Sequence, residues 1–230
     1  MKFKATLTAN AGVILQLGNE HIFMIDALHD TPHLEFSSLT PEQVEKVFEY
    51  TSSTVPNSIL VTHNHADHCD EALFAEAFER YGRCELLVPW AESQKKYRIY
   101  SHRDYSVAAI PLPHRYAPHY PEVENYGFVI DVDGKTVFTP GDAEPLTPEM
   151  EYIASNVHPD VALLPFLWVT LARCRSMLDR LAPKKLILFH LPFPDHDPSN
   201  YNHMTEAAVK RFYPETVIMN SFLQETEFEI

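Results

Sequence analysis

The chain has 230 residues and a formal net charge of −14, from 18 basic and 32 acidic side chains. An acidic chain of this kind repels phosphate backbones and anionic lipid headgroups, so the charge argues against a nucleic-acid or membrane-surface binder. Hydrophobic residues make up 45 % of the chain and charged residues 22 %, a composition typical of a globular protein with a substantial core.

The first part of the chain predicts β-strands followed by a helix. The strand-like runs are KFKATLTA, GVILQLG and HIFMID, with Gly18-Asn19 as a turn between the last two. The opening reads as a strand and not as a signal peptide, because no long apolar core or small-residue cleavage pattern follows its basic end. Thr40, Pro41 and Gln43 form the pattern of a capping box with proline at the first helical position, so we expect a helix from there.

The rest of the chain alternates strand-like and helix-like runs. SILVT is short and almost wholly apolar, as expected of a strand buried on both faces, and CDEALFAEAFERYG has helical spacing with Gly82 at its end. Asp133-Gly134 is a hairpin signal inside NYGFVIDVDGKTVFTPGD, and Thr147 begins a second Thr-Pro helix. Further strands are predicted at CELLVPW, SVAAIPLP and KKLILFHLP, and further helices at RCRSMLDRLAP and YNHMTEAAVKRFY. No composition break marks a linker, so we predict one α/β domain over residues 1–230.

The loop HNHADH, residues 63–68, places three histidines and an aspartate between a strand and a helix. Imidazole and carboxylate are ligands of a borderline divalent metal such as zinc. His63 and His65 can converge on one ion from the end of a strand, and Asp67 and His68 can turn towards a second. The alternatives are a polar loop of solvated histidines and an N-cap cluster in which Asp67 caps the following helix. The density of ligand-type residues favours metal binding.

The H-x-H-x-D-H pattern after an apolar strand resembles the signature of the metallo-β-lactamase fold superfamily. The run AGVILQLGNEHIFMIDAL is similar to the family's opening hairpin and ends in Asp26, the aspartate that supports the metal loop. NYGFVIDVDGKTVFTPGDA is similar to its central hairpin with Gly141-Asp142, and KKLILFH places His190 at the position of the last ligand. The resemblance implies a four-layer αββα sandwich of two mixed β-sheets flanked by helices.

The same resemblance implies two metal sites. Site one has two histidines of the loop and a third histidine, and site two has three protein ligands with one carboxylate shared by both ions. The implied ligands are His63, His65, Asp67, His68, His114, Asp142 and His190. His114 is our choice for the third histidine because it directly follows a predicted strand before the central hairpin, and His119 is the alternative.

With this ligand set the resemblance implies a binuclear zinc-dependent hydrolase, with Mn²⁺ or Fe²⁺ as other metals. A metal-bridging hydroxide would attack an ester, a lactone or a phosphodiester of a small molecule, with Asp67 and Asp142 orienting it and His114 completing the site. Sulfur-oxidising iron enzymes of the same superfamily keep the same pattern, so a mononuclear iron dioxygenase is the first alternative. A non-catalytic metal-binding member is the second.

The remaining predictions concern location and partners. Cys69, Cys84 and Cys174 are odd in number and scattered, which argues against a disulfide framework and favours a cytoplasmic protein. A small-molecule substrate is expected, with neither nucleic acid nor membrane as a partner. The sequence leaves open the substrate, the oligomeric state and the roles of His29 and His196.

Overall fold

A computed structural model describes residues 1–88, 96–115 and 123–230. The chain divides into two compact units that interleave along the sequence. The first unit comprises Met1–Val88, His190–Ser199 and Met219–Ile230, and the second comprises Pro89–Phe189 and Asn200–Ile218. That residues 1–230 form one domain stays a prediction.

Strands and helices alternate along most of the chain. In chain order the strands are β1 (Lys2–Leu7), β2 (Val13–Leu17), β3 (His21–Ile25), β4 (Ser58–Leu60), β5 (Glu85–Leu87), β6 (Arg98–Ser101), β7 (Tyr105–Pro113), β8 (Glu124–Val132), β9 (Lys135–Thr139), β10 (Val161–Pro165), β11 (Lys185–Phe189), β12 (Val217–Ile218) and β13 (Glu225–Glu229). The helices are α1 (Pro41–Thr51), α2 (Glu71–Tyr81), α3 (Pro148–Asn156), α4 (Leu167–Thr170), α5 (Ala172–Leu181) and α6 (Tyr201–Phe212).

The first unit contains a mixed six-stranded sheet in the order β13-β1-β2-β3-β4-β5. The β13-β1-β2-β3 part is antiparallel, whereas β3, β4 and β5 are parallel. All three residues of β4 are buried, as expected for a central parallel strand. The carboxyl end of β4 therefore delivers the histidine loop at an edge of the sheet, where ligands commonly bind.

The start of α1 and the end of α2 lie where the sequence predicts them. The Thr40 side chain accepts a hydrogen bond from the Gln43 backbone, and the Gln43 side chain accepts one from the Thr40 backbone, which completes the capping box of α1. Asp70 caps α2 by accepting from two backbone N–H groups, so this role does not belong to Asp67. Gly82 ends α2 in the left-handed conformation, at φ +67°.

The second unit contains a mixed seven-stranded sheet in the order β12-β11-β10-β9-β8-β7-β6. The strands from β9 to β12 are parallel and those from β6 to β9 are antiparallel, with β8 and β9 joined at the Asp133-Gly134 turn. Helices α3, α5 and α6 pack on the sheet through a cluster of buried apolar side chains that includes Phe138, Ile153, Leu178 and Val209.

Four strands were not predicted from sequence. β10 is a short, fully buried apolar run whose composition fits a helix as well as a strand, and β12 has only two residues. β13 is an edge strand with alternating charged residues, and β6 is half-exposed, so neither has the apolar signal of a central strand. The predicted strand CELLVPW is confirmed only as β5, because residues 89 and 90 lie outside the described part of the chain.

The predicted α/β class is confirmed, with two mixed sheets and helices in both units. Among the described residues no helix combines the length and apolar character required to cross a bilayer.

Candidate metal centre

The histidine loop of the first unit is anchored by Asp26, a buried carboxylate at the end of β3. Its Oδ1 accepts from the Thr62 backbone N–H at 2.8 Å, and its Oδ2 accepts from the Thr62 hydroxyl at 2.7 Å. The same Oδ2 lies 2.9 Å from His68 Nδ1. An imidazole held in this way through Nδ1 can use its Nε2 lone pair to bind a metal, which is the arrangement that supports histidine ligands at metal sites.

Close backbone packing fixes the position of Asp26. A Cβ on Gly12 would lie 2.2 Å from Thr8 Oγ1 and 2.9 Å from both Ala27 Cα and the Asp26 carbonyl oxygen, so only glycine fits there. Asp26 itself has φ +48°, a conformation that aspartate tolerates better than most residues.

Three donor atoms of the first unit form a triangle of the size that a metal ion requires. His68 Nε2 and His190 Nε2 are 3.1 Å apart, and each lies 3.7 Å from Asp67 Oδ2. Donors on a tetrahedral zinc with bonds of ~2.0–2.1 Å are about 3.3 Å apart. The three side chains therefore fit a divalent ion, and their nitrogen and oxygen donors suit zinc, manganese and iron.

His190 reaches this cluster from a strained backbone position directly after β11. Its φ is +60°, and its N–H donates to the Asn10 carbonyl oxygen at 2.7 Å. The ring of Phe36 meets the His190 ring edge to face at 4.7 Å between centroids. Strained conformations of this type persist only where the surroundings enforce them, and they are concentrated at functional sites.

The charge state of Asp67 follows from its neighbours. Burial acts to raise the pKa of its carboxyl, but the imidazoles of His68, His190 and His29 outweigh burial and hold the pKa well below its usual range. Asp67 is therefore a carboxylate at neutral pH. In addition, Asn10 Nδ2 lies 3.4 Å from Asp67 Oδ2.

Cys69 lies next to this cluster but is not activated. Burial, together with the carboxylates Asp26, Glu71 and Asp70, raises the pKa of the thiol to about 12. Because the thiolate is the nucleophilic form, the protonated Cys69 does not provide a nucleophile at neutral pH. All three cysteines of the chain are free.

His63 and His65 form a second pair of donors within the first unit. His63 Nε2 and His65 Nδ1 are 3.1 Å apart, and the Thr62 hydroxyl lies 3.0 Å from His63 Nδ1. Thr62 thus contacts both His63 and Asp26, which links the His63–His65 pair to the carboxylate that holds His68.

His114 and Asp142 come together within the second unit. The chain after β7 pairs with the segment after β9, through a bridge between His114 and Ala143 and a hydrogen bond from the Arg115 N–H to the Asp142 carbonyl oxygen at 2.8 Å. His114 Nε2 lies 3.9 Å from Asp142 Oδ2. Asn125 accepts from the Asp142 N–H at 2.9 Å and holds the turn in place.

The sequence-derived site residues thus fall into local groups within each unit. The alternative ligand His119 lies outside the described residues, so the choice between it and His114 stays a prediction.

His196 is exposed, with Nε2 3.3 Å from the Leu34 carbonyl oxygen, in agreement with the exposed loop that its proline-rich surroundings indicate. The sequence did not indicate Asn10, Thr62 or Phe36, because their contacts join segments that are far apart in the chain or carry no ligand signature.

Comparisons with known proteins identify the family. The model of the beta-lactamase superfamily domain matches residues 37–190. A search of curated proteins found no match. The chain is similar in structure to Igni18, a metallo hydrolase from Ignicoccus hospitalis KIN4/I, at 18 % identity and a TM-score of 0.66 over 100 % of both chains.

Two further solved structures have the same fold and different named activities. An isothiocyanate hydrolase from Delia radicum gut bacteria is 15 % identical with a TM-score of 0.63 over 99 % of both chains. CmlA, a diiron beta-hydroxylase from Streptomyces venezuelae, is 13 % identical with a TM-score of 0.59, over 99 % of this chain and 54 % of the other. The chain therefore belongs to the beta-lactamase superfamily and has the metallo-β-lactamase fold.

Proposed function

We propose that the protein is a metal-dependent hydrolase that uses two divalent ions, with zinc as the first choice. The observation that carries the proposal is the triangle of Asp67, His68 and His190, whose donor atoms lie 3.1–3.7 Å apart around a common point. Bound divalent ions would supply Lewis acidity and a hydroxide nucleophile at neutral pH. The wider ligand set with His63, His65, His114 and Asp142 stays a prediction from the sequence.

The side chains of the loop have separable tasks in this proposal. Asp26 fixes the ring orientation of His68. Because Nδ1 is engaged with the Asp26 carboxylate, Nε2 is the nitrogen that would bind the metal. Asp67 provides negative charge at neutral pH because the neighbouring imidazoles keep it ionised. Neither task requires a protein nucleophile, which agrees with the raised pKa of Cys69.

The proposed substrate is a small molecule with an ester, lactone or phosphodiester bond. The net charge of −14 disfavours nucleic acid and anionic membranes as partners. Free cysteines fit a reducing compartment, so the proposed location is the cytoplasm.

An iron-dependent oxidation is the second candidate. It is favoured by the donor set, because imidazole and carboxylate bind iron as well as zinc, and by the diiron hydroxylase that shares this fold. Metal identity and oxygen consumption separate it from hydrolysis.

The test is reconstitution of metal-free protein with Zn²⁺, Mn²⁺ or Fe²⁺, followed by assays on p-nitrophenyl acetate, a simple γ-lactone and bis(p-nitrophenyl) phosphate. We expect turnover with zinc at least about tenfold above that of the metal-free protein, without oxygen uptake, as metal activation of water requires. Asp133→Asn, at an exposed turn, is the control and should behave as wild type. If only the iron-reconstituted protein consumed oxygen in the presence of a persulfide, the result would favour the iron-dependent oxidation over hydrolysis. Stoichiometric metal without turnover on any substrate would favour the non-catalytic alternative.

A further inference from the structure

His29 is a fully buried histidine of the first unit that the ligand set does not include. Its relative exposure is 0 %, and among the described residues neither Nδ1 nor Nε2 has a hydrogen-bond partner. A neutral imidazole has one N–H donor and one acceptor lone pair, and leaving them unpaired in the interior is costly. Because nearly all buried polar groups in native proteins are satisfied, both nitrogens require partners beyond the described protein atoms, and a bound oxygen ligand can supply them.

The surroundings of His29 indicate where that partner lies. The imidazole interacts electrostatically with Asp67, His68 and His190, the three residues of the triangle. An imidazole ring can donate a hydrogen bond at one nitrogen and accept one at the other, so His29 can pair with an oxygen ligand held beside these residues.

Asn10 provides a second, independent observation beside the same cluster. It is fully buried, its Nδ2 lies 3.4 Å from Asp67 Oδ2, and its Oδ1 has no hydrogen-bond partner among the described residues. Two buried side chains with unpaired polar atoms therefore adjoin one metal-sized cluster. A hydroxyl-bearing or water-like occupant can satisfy both, since it donates to the Asn10 oxygen and pairs with the His29 ring.

His29 is better suited to such an occupant than to the ion itself. The sets of donor atoms within 4.8 Å of one another, among the described residues, join Asp67 to His68 and His190 and do not include His29. Its nitrogens thus lie outside the triangle that would surround an ion.

We infer that His29 is a positioning residue that hydrogen-bonds an oxygen ligand, either water or a substrate oxygen, held at the cluster of Asp67, His68 and His190. The inference rests on the proposed function, because it requires an ion at that cluster. It adds a specificity element: the site selects ligands that present an oxygen to the His29 imidazole and a hydroxyl or water proton to Asn10.

The experiment uses cobalt-loaded protein and inorganic phosphate as the oxygen-bearing probe. Cobalt content is measured by plasma mass spectrometry, and phosphate binding is followed by the change in the visible Co²⁺ spectrum. In His29→Phe, which removes both nitrogens at similar volume, we expect unchanged cobalt content. The phosphate Kd should rise about three- to tenfold, the size of one net buried hydrogen bond.

Three variants control for folding and for unspecific effects. His29→Gln restores a donor and an acceptor and should recover part of the phosphate affinity, whereas His29→Leu repeats the removal with a more compliant side chain. His203→Gln removes an exposed histidine of α6 and should leave both readouts unchanged.

The outcomes separate this inference from the proposed function. An unchanged phosphate Kd in both His29→Phe and His29→Leu, with cobalt bound, would overturn the inference alone. Loss of a cobalt ion from these variants would show that His29 is a direct ligand and would also overturn it. Absence of cobalt from wild type would overturn the proposed function, and this inference with it.

Discussion

The two units hold their ligand-type side chains by different means. In the first unit a buried carboxylate, Asp26, binds the Thr62 backbone, the Thr62 hydroxyl and the His68 ring directly. In the second unit Asn125 binds only backbone groups: it accepts from the Asp142 N–H at 2.9 Å and donates to the Pro140 carbonyl oxygen at 3.0 Å. His68 is thus oriented through its side chain, whereas Asp142 is placed through its main chain.

This difference has a consequence for mutation. A change at Asp26 alters the tautomer and orientation of an imidazole, so its first effect should be on metal affinity. A change at Asn125 leaves buried backbone groups without partners, so its first effect should be on stability.

Asp26→Asn should lower zinc affinity at the cluster of Asp67, His68 and His190 by about 10- to 100-fold, the usual effect of losing a carboxylate partner of a histidine ligand. Competition with a chromophoric chelator measures the affinity. Asp133→Asn makes the same chemical change at an exposed turn and should retain wild-type affinity. Equal affinities in the two variants would contradict a role of Asp26 in orienting His68.

Asn125→Ala should lower the free energy of unfolding by about 1–2 kcal/mol, because loss of the buried Asn125 amide leaves the Asp142 N–H and the Pro140 carbonyl unpaired. Urea denaturation measures the change. The matched variant Asn156→Ala removes an exposed amide and should change stability by less than about 0.5 kcal/mol. The proposed difference between Asp26 and Asn125 is contradicted if Asn125→Ala lowers metal affinity as strongly as Asp26→Asn without loss of stability.

Asp160→Asn should have the smallest effect, about 1 kcal/mol, because its ion-pair partner Lys184 is largely exposed. Burial acts to raise the pKa of Asp160, but the hydrogen bonds from Lys184 and the Thr136 N–H outweigh it and lower the pKa. A lowered pKa contributes stability above the unfolded value of about 3.9, and this contribution is lost as the pH falls through the folded value.

The difference in stability between wild type and Asp160→Asn should therefore be complete at pH 7 and decrease below about pH 4. Thermal unfolding across this range measures it. A difference that is constant from pH 7 to pH 3 would show that ionisation of Asp160 does not contribute.

Local sequence signals predicted a large part of the fold. The capping box at Thr40, the helix end at Gly82 and the hairpin at Asp133-Gly134 all depend on residues within one turn, and all are confirmed. Strands β10 and β13 were not predicted. A short apolar run such as β10 fits a helix as well as a strand, and a charged edge strand such as β13 lacks apolar alternation.

The candidate site shows the same limit. The histidine loop is a local pattern and could be read directly, together with Asp26 and His190 through the resemblance. The buried Asn10 and the unpaired nitrogens of His29 depend on contacts between distant segments, such as Asn10 with Asp67, and no local pattern encodes them.

Metal content per chain tests the central claim most directly, measured by plasma mass spectrometry on wild type beside His68→Ala and His203→Ala. The claim is that Asp67, His68 and His190 hold a divalent ion. It predicts one ion fewer per chain in His68→Ala than in wild type, with His203→Ala unchanged. Equal metal content in His68→Ala and wild type would contradict it.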